Sequence, residues 1–221
     1  MTANRFQCLR EKMKEKLNSE KMNSFKRFAL LGLYTFIIML FISSMAFRLK
    51  YQVGVGNGIS MQPTLEETNF QIMDRHLKPN YGDIVGIKIK KNDNQYAKVR
   101  EYYKEFNTTQ TMTKRVIALP GDSIKINGNE IFVNNELIDT TKWFFNNDTW
   151  NTEHKFDLEI NDLKGYFVMG DNRGNSFDST YFGAVYEDDI MGTVIMYTNN
   201  LTLTRVLSAV FFLDPFLLLQ K

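Results

Sequence analysis

The sequence predicts a mainly β body preceded by one membrane-spanning helix, and three observations predict it. Residues 28–47 run for twenty positions without a charge. Between residue 50 and the tail hardly any stretch sustains a helical apolar period. In its place, short apolar and β-branched segments recur, bounded by glycine, proline and asparagine. The chain has 221 residues, enough for one to two domains with a sizeable core, and its 43% hydrophobic content is too rich for disorder.

Charge and cysteine usage exclude several classes. Residues 1–27 carry eight Lys/Arg (Arg5, Arg10, Lys12, Lys14, Lys16, Lys21, Lys26, Arg27) against Glu11, Glu15 and Glu20, a surplus of five. The rest holds nineteen basic and twenty-two acidic residues, a deficit of three. A nucleic-acid-binding domain would carry its basic surplus on the folded body, so no nucleic-acid partner is expected. Cys8 is the single cysteine, which forbids a disulfide within the chain or a multi-cysteine metal site. His76 and His154 are the only histidines and have no His-x-x-x-His spacing, so neither a metal nor another cofactor is expected.

The elements follow in order. Phe28 to Phe47, at about 1.5 Å per residue, matches a hydrocarbon core of roughly 30 Å. The heavier positive cluster lies before it, which puts residues 1–27 in the cytoplasm and the body outside. Ser44-Met45-Ala46 also resembles a small-x-small cleavage site, so a removable signal peptide is the competing reading; the length of the run favours a retained anchor. Tyr51 to Gly58 reads as a strand with bare positions at Gly54 and Gly56, as where another backbone lies close. Residues 70–74 and 83–89 read as strands joined through Pro79-Asn80-Tyr81-Gly82. Residues 90–111 are polar and read as a loop or hairpin tip. Asn127-Gly128 divides 123–126 from 130–133, a strong hairpin signal, and Asn134-Asn135 starts another turn. Residues 139–162 show no clear period. Residues 165–170 and 190–197 are two further strands. The tail from Val206 to Leu219 is apolar but broken by Asp214-Pro215, too short for a confident second crossing; a helix against the membrane or the body is expected.

Three stretches carry chemistry. Gly58-Ile59-Ser60-Met61-Gln62-Pro63-Thr64-Leu65 places a hydroxyl just after a glycine and before a proline, and alone it reads as an ordinary turn. A serine needs a base beside it to be a nucleophile at neutral pH. Met112-Thr113-Lys114-Arg115-Val116-Ile117-Ala118-Leu119-Pro120-Gly121-Asp122 carries Lys114 into an apolar, strand-like run. If buried there, its amine would lose protons near neutrality and could take one from a serine hydroxyl; alone it reads as a solvated strand lysine. Met169-Gly170-Asp171-Asn172-Arg173-Gly174-Asn175-Ser176-Phe177-Asp178-Ser179 follows a strand as a polar loop, where sites concentrate; alone it reads as a turn-rich connection.

Taken together and in this order after one N-terminal span, these motifs closely resemble the bacterial type I signal peptidases. Gly82-Asp83-Ile84-Val85 joins the resemblance, which runs from the anchor to about Tyr197. It implies a membrane-tethered serine endopeptidase that cleaves preprotein signal peptides after small-x-small motifs, beside membrane lipid and the protein-export machinery. It implies Ser60 as nucleophile, Lys114 as general base and Ser176 as the group that hydrogen-bonds and orients the amine. One oxyanion donor would be the Ser60 N–H. Some members supply a second from a serine hydroxyl at the position held here by Gly58, whereas others resemble this chain in carrying glycine. Met61 and Leu65 match the wall of the pocket for the first residue before the cut, with Met112 beside them. Arg115 and Asp171 look like the ion pair behind the lysine strand. Asp178 would ordinarily pair with an arginine two residues on; this chain has Thr180 there, and Arg173 is the alternative partner. The glycines at 54 and 56 replace bulky residues that usually shape the third-position pocket, so looser third-position specificity is expected.

The implied organisation is a cytoplasmic basic leader over 1–27, an anchor over 28–47, a signal-peptidase-like catalytic β core over 48–122 and 166–200, an inserted β cap over 123–165 and an apolar tail over 201–221. Three rivals stand beside it. A self-cleaving repressor would carry a DNA-binding domain where this chain has its span. A catalytically idle homologue serving as a membrane-anchored binding or assembly factor would need none of Ser60, Lys114 and Ser176. A purely structural membrane protein leaves the three motifs unexplained. A eukaryotic reticulum-type enzyme would have histidine at the position of Lys114.

Overall fold

The computed structural model describes residues 2–89, 96, 101, 110–144 and 157–212. They fall into two units, residues 1–49 and 50–221. The first belongs to one continuous helix, α1 (Thr2–Lys50), which begins well before the uncharged run and ends just after it. Its segment Asn23–Lys50 is long and apolar enough to cross a membrane, and none of its apolar window is buried by protein. Leu33, Phe36, Ile37 and Leu40 are all exposed. An apolar surface of that kind demands another apolar medium.

The second unit is built on two antiparallel sheets. The larger contains β1 (Tyr51–Asn57), β2 (Thr68–Asp74), β3 (Ile84–Ile89), β4 (Gln110–Ala118), β9 (Phe167–Met169) and β10 (Ile190–Thr198), in the order β1-β2-β10-β3-β4-β9. The smaller contains β5 (Ile124–Asn127), β6 (Glu130–Val133), β7 (Glu136–Leu137) and β8 (Asp157–Ile160), in the order β7-β6-β5-β8. A four-residue helix, α2 (Ser179–Phe182), precedes β10, and α3 (Leu201–Phe212) follows it. The body is mainly β, as its patterning requires.

Both faces of β4 and β9 are covered, so their apolar residues are nearly continuous. Val116 and Val168 join Val85, Ile87, Ile89, Tyr96 and Phe182 in one core. Ile117, Phe167 and Met169 point the other way and pack on Ile124, Ile126, Ile131 and Val133 of the smaller sheet. The small sheet thus caps the face of β4 and β9 opposite the first core.

Some boundaries differ from the sequence reading. The hairpin loop is Gly128-Asn129, because Asn127 pairs with Glu130 and so joins β5; Gly128 supplies the positive φ of 58°. Asn134 and Asn135 both take positive φ, 52° and 67°, the primed turn that joins β6 to β7. Gln110 and Thr111, read as loop, belong to β4, where they pair with Ile89 and Lys88. Residues 157–160, in a stretch read as aperiodic, form β8 with Leu158 and Ile160 half-buried between exposed Asp157 and Glu159. The tail helix begins at Leu201, before the apolar run that marked it, and residues 213–221 with Asp214-Pro215 lie outside the described residues, as does most of 90–109.

Candidate active site

The larger sheet carries Ser60 on the turn that leaves β1. Gly58 opens the turn at φ 142°, a backbone region that side chains strain to enter, and its N–H donates to the Glu67 carbonyl at 3.1 Å. Met61 and Leu65 then drop into the sheet beside Ile84 and Val194, 3% and 1% exposed. Ser60, just before the first of these anchors, stays half-buried at the rim. A second clamp comes from the loop after β9: Asn172 donates its N–H to the Ser60 carbonyl at 3.0 Å and its side-chain amide to the Ile59 carbonyl at 3.1 Å. Gly170 makes this closeness possible, since a Cβ there would collide with Ser176 Oγ and lie 2.5 Å from the Ser60 carbonyl oxygen. Gly170→Ala is therefore expected to push the serine turn off the β9 loop. A lowered melting temperature is the readout, and an unchanged one would contradict the packing described.

Strand β4 brings Lys114 to the same point. Its Nζ lies 2.7 Å from Ser60 Oγ, although the residues are 54 positions apart. Lys114 is only 3% exposed. Burial pushes its amine down from 10.5 to about 8; Asp178 pulls it back up, Arg173 drives it lower and Asp171 raises it slightly. The Ser60 N–H, meanwhile, has no hydrogen-bond partner among the described residues. An unpaired backbone donor beside a nucleophile is what an oxyanion would need.

Two buried ion pairs stand behind the lysine. Arg115 meets Asp171 in a bidentate fork, Nε to Oδ1 at 2.8 Å and Nη2 to Oδ2 at 2.6 Å. Arg115 Nη1 also donates to the Gly82 carbonyl at 2.6 Å, and the Thr64 hydroxyl donates to Asp171 Oδ2 at 2.5 Å. The fork therefore ties β4, the serine turn and the β9 loop together. Arg173 Nη1 lies 2.5 Å from Asp178 Oδ2, and both side chains are fully buried. This supplies the partner of Asp178 that Thr180 could not be; Thr180 instead donates its hydroxyl at 2.7 Å and its N–H at 3.2 Å to Asp178 Oδ1. Burial alone would raise the Asp178 carboxyl, but Arg173 and Lys114, with the Gly170 N–H and Ser176 hydroxyl, hold it below the ordinary value.

Ser176 differs from its expected geometry. Its hydroxyl donates to Asp178 Oδ2 at 2.7 Å, and no hydrogen bond joins it to Lys114. A buried carboxylate is the stronger acceptor, which accounts for the choice. Around Ser60 and Lys114 opens a cleft of about 530 Å³, walled by Gly58, Met61, Leu65 and Met112. Asn69, Gln71 and Thr113, which the sequence did not single out, also line it. Their only signal was a pair of polar residues alternating with Phe70 and Ile72, indistinguishable in sequence from a solvated strand face. Among the described residues no group of His, Cys, Asp and Glu could hold a metal ion.

Comparison with known proteins gives the family of the chain. Residues 25–198 match the family described as signal peptidase, peptidase S26. The chain is 29% identical to signal peptidase I U of Bacillus subtilis (strain 168) over 184 residues, 79% of this chain and 88% of that one. It is 29% identical to a probable signal peptidase I-2 of Synechocystis over 138 residues, 60% of this chain and 56% of that one. Among solved structures, a signal peptidase I from Enterococcus faecalis V583 aligns at 23% identity and a TM-score of 0.35, covering 53% of this chain and 97% of that one.

Proposed function

This chain belongs to the type I signal peptidases, serine peptidases that cleave signal peptides, and from that premise we propose that Ser60 and Lys114 form its catalytic dyad. One observation carries the assignment: a buried amine, lowered to about 8, sits 2.7 Å from a serine hydroxyl. Neutral Lys114 takes the hydroxyl proton as Ser60 Oγ attacks the scissile carbonyl carbon. The carbonyl oxygen becomes an oxyanion facing the Ser60 N–H. As the carbon–nitrogen bond breaks, the Lys114 ammonium returns the proton to the leaving amine, and an acyl-enzyme remains on Ser60. A water, deprotonated by Lys114, then attacks the ester, and the Lys114 ammonium gives that proton to the departing Ser60 Oγ as the signal peptide leaves with a free carboxylate. Gly58 offers no side-chain donor, so the oxyanion relies on backbone and water. Ser176 is a positioning residue in this scheme, acting on Lys114 through the Asp178 carboxylate that both approach. Arg115 with Asp171, and Arg173 with Asp178, hold the strand and loop in place.

In the same reading the apolar helix anchors the enzyme in the cell membrane, with residues 1–27 cytoplasmic and the catalytic body outside. Preproteins delivered by the export machinery reach the cleft there. The buried walls Met61 and Leu65 admit only a small side chain at the first residue before the cut. Residues 48–122 and 166–200 form the catalytic core and 123–165 its cap.

The decisive experiment incubates the purified protein and its Ser60→Ala variant with several preproteins and sequences the new N-termini. Cleavage after small-x-small motifs by the wild type alone supports the reading. Its absence would favour an idle homologue. The pH dependence follows from the lysine. Only the neutral amine is a base, so below about 8 the competent fraction falls tenfold per unit. Steady-state kcat/KM is expected to climb from pH 5 and level off above about 8. A flat profile from about pH 5 to 9 would rule out a lysine base.

A further inference from the structure

The glycines of β1 promised extra room, but at Gly54 the Met73 methyl lies 3.1 Å from where a Cβ would sit, and at Gly56 the room is filled by amides. Gly54 pairs with Gln71 and Gly56 with Asn69 across β1 and β2. A Cβ on Gly56 would lie 2.7 Å from Gln71 Nε2 and 2.8 Å from Asn69 Nδ2. The bare strand therefore makes space for two carboxamide side chains lying over it. Both are buried, Asn69 at 2% and Gln71 at 1% exposure, and both line the cleft. Thr113, one residue before Lys114, completes the wall.

These groups form a one-way chain. Thr113 Oγ1 donates to Gln71 Oε1 at 3.2 Å, Gln71 Nε2 donates to Asn69 Oδ1 at 2.5 Å, and Asn69 Nδ2 donates to the Glu66 carbonyl at 2.8 Å. Each link polarises the next. Beyond the bonds of this chain Gln71 Nε2 has a second N–H and Thr113 Oγ1 has lone pairs, and both residues line the cleft. An apolar side chain seated there would strand both groups without water; a hydroxyl or amide would pair with both.

We propose that this chain reads a polar side chain at the third residue before the scissile bond, through hydrogen bonds to Gln71 and Thr113. The inference rests on the reading that the cleft takes the preprotein segment ahead of the cut. An extended segment presents alternate side chains to one wall, so the first and third residues face the cleft together. The first falls at Met61 and Leu65, beside the nucleophile, and the third falls farther along, over Gly56 and its amides. The substrate class is thus narrower than a small apolar pair: serine, threonine or asparagine at the third position.

Threonine and valine have nearly the same shape and differ in a hydroxyl, which isolates the hydrogen bond. Peptides alike except for Thr, Val or Ala at the third position are compared with the full-length enzyme in detergent. The expected result is a kcat/KM for Thr about tenfold or more above that for Val, with Gln71→Leu bringing the ratio to one or below. Should Gln71→Leu not fold, Thr113→Val keeps the shape and removes the head of the chain, and is expected to shrink the same ratio. Equal or better cleavage of the Val peptide by wild type overturns the proposal, as does a Thr preference that survives both variants. If no peptide is cut, the proteolytic reading fails, and binding of the Thr and Val peptides to Ser60→Ala, followed by fluorescence anisotropy, decides the polar site separately. Tighter binding of Thr supports it, and equal binding overturns it.

Discussion

Ser60→Ala and Lys114→Met are each expected to abolish preprotein processing, with losses on the order of 10⁶-fold in kcat. The two should cost about the same, and the double variant hardly more, because nucleophile and base act as one unit. The lysine variant adds a second readout. Below about pH 8 the folded protein must bury a charged amine whose ordinary value is 10.5, a penalty of roughly 3 kcal/mol. Between about 8 and 10.5 the unfolded chain holds more protons than the folded one, so stability rises with pH and the penalty fades. Lys114→Met removes that penalty while keeping the length of the side chain. The inactive variant should therefore unfold at a higher temperature than wild type at pH 7, and the advantage should shrink toward pH 10.5. Appreciable processing by either single variant would refute the dyad, and a Met variant no more stable at pH 7 would deny that the amine is buried at a cost.

Breaking the Arg173–Asp178 pair is the second large effect. Asp178→Ala deprives a fully buried guanidinium of its carboxylate and leaves the Gly170 N–H and the Ser176 hydroxyl without their acceptor. Removing one partner of such a pair costs about 3–5 kcal/mol. Asp178 is held below the ordinary carboxyl value, so its contribution is present above about pH 4 and is lost as pH falls through its folded value. Denaturant titration at pH 7 is expected to show the full destabilisation, with a smaller difference from wild type in acid. Arg173→Met combined with Asp178→Leu should recover much of the loss, because the buried charge goes with its partner. Whatever enzyme folds in the single variant should show its pH–rate rise at lower pH, since Asp178 is the stronger of the two carboxylates that raise the Lys114 value. A loss below about 1 kcal/mol in Asp178→Ala would mean that the pair is solvated.

The apolar helix, the mainly β body and the family were legible because each is written locally. An uncharged run of twenty residues, alternating strands and three ordered motifs survive without three-dimensional information. Ser60, Lys114, the Arg115–Asp171 partnership and Arg173 as a candidate for Asp178 were named from those motifs. The strand Asp157–Ile160 was not found, because four residues with two half-buried apolar positions carry too short a period.

By itself, then, the sequence determined most of the elements and which groups the reaction has available. Tertiary structure decided what those groups do to one another. Whether Lys114 is a solvated cation or a base depends on burial and on the 2.7 Å to Ser60, a distance across 54 residues of chain. Whether Ser176 turns to lysine or carboxylate depends on the Asp178 carboxylate that the fold sets beside its hydroxyl, the stronger acceptor. Whether Asn69 and Gln71 face open water or the cleft depends on Gly56 in the neighbouring strand, which no alternation pattern within Thr68–Asp74 records. The physical reason is common to all three: a side chain's periodicity is a property of its own segment, whereas its dielectric surroundings and hydrogen-bond partners belong to the segments packed against it.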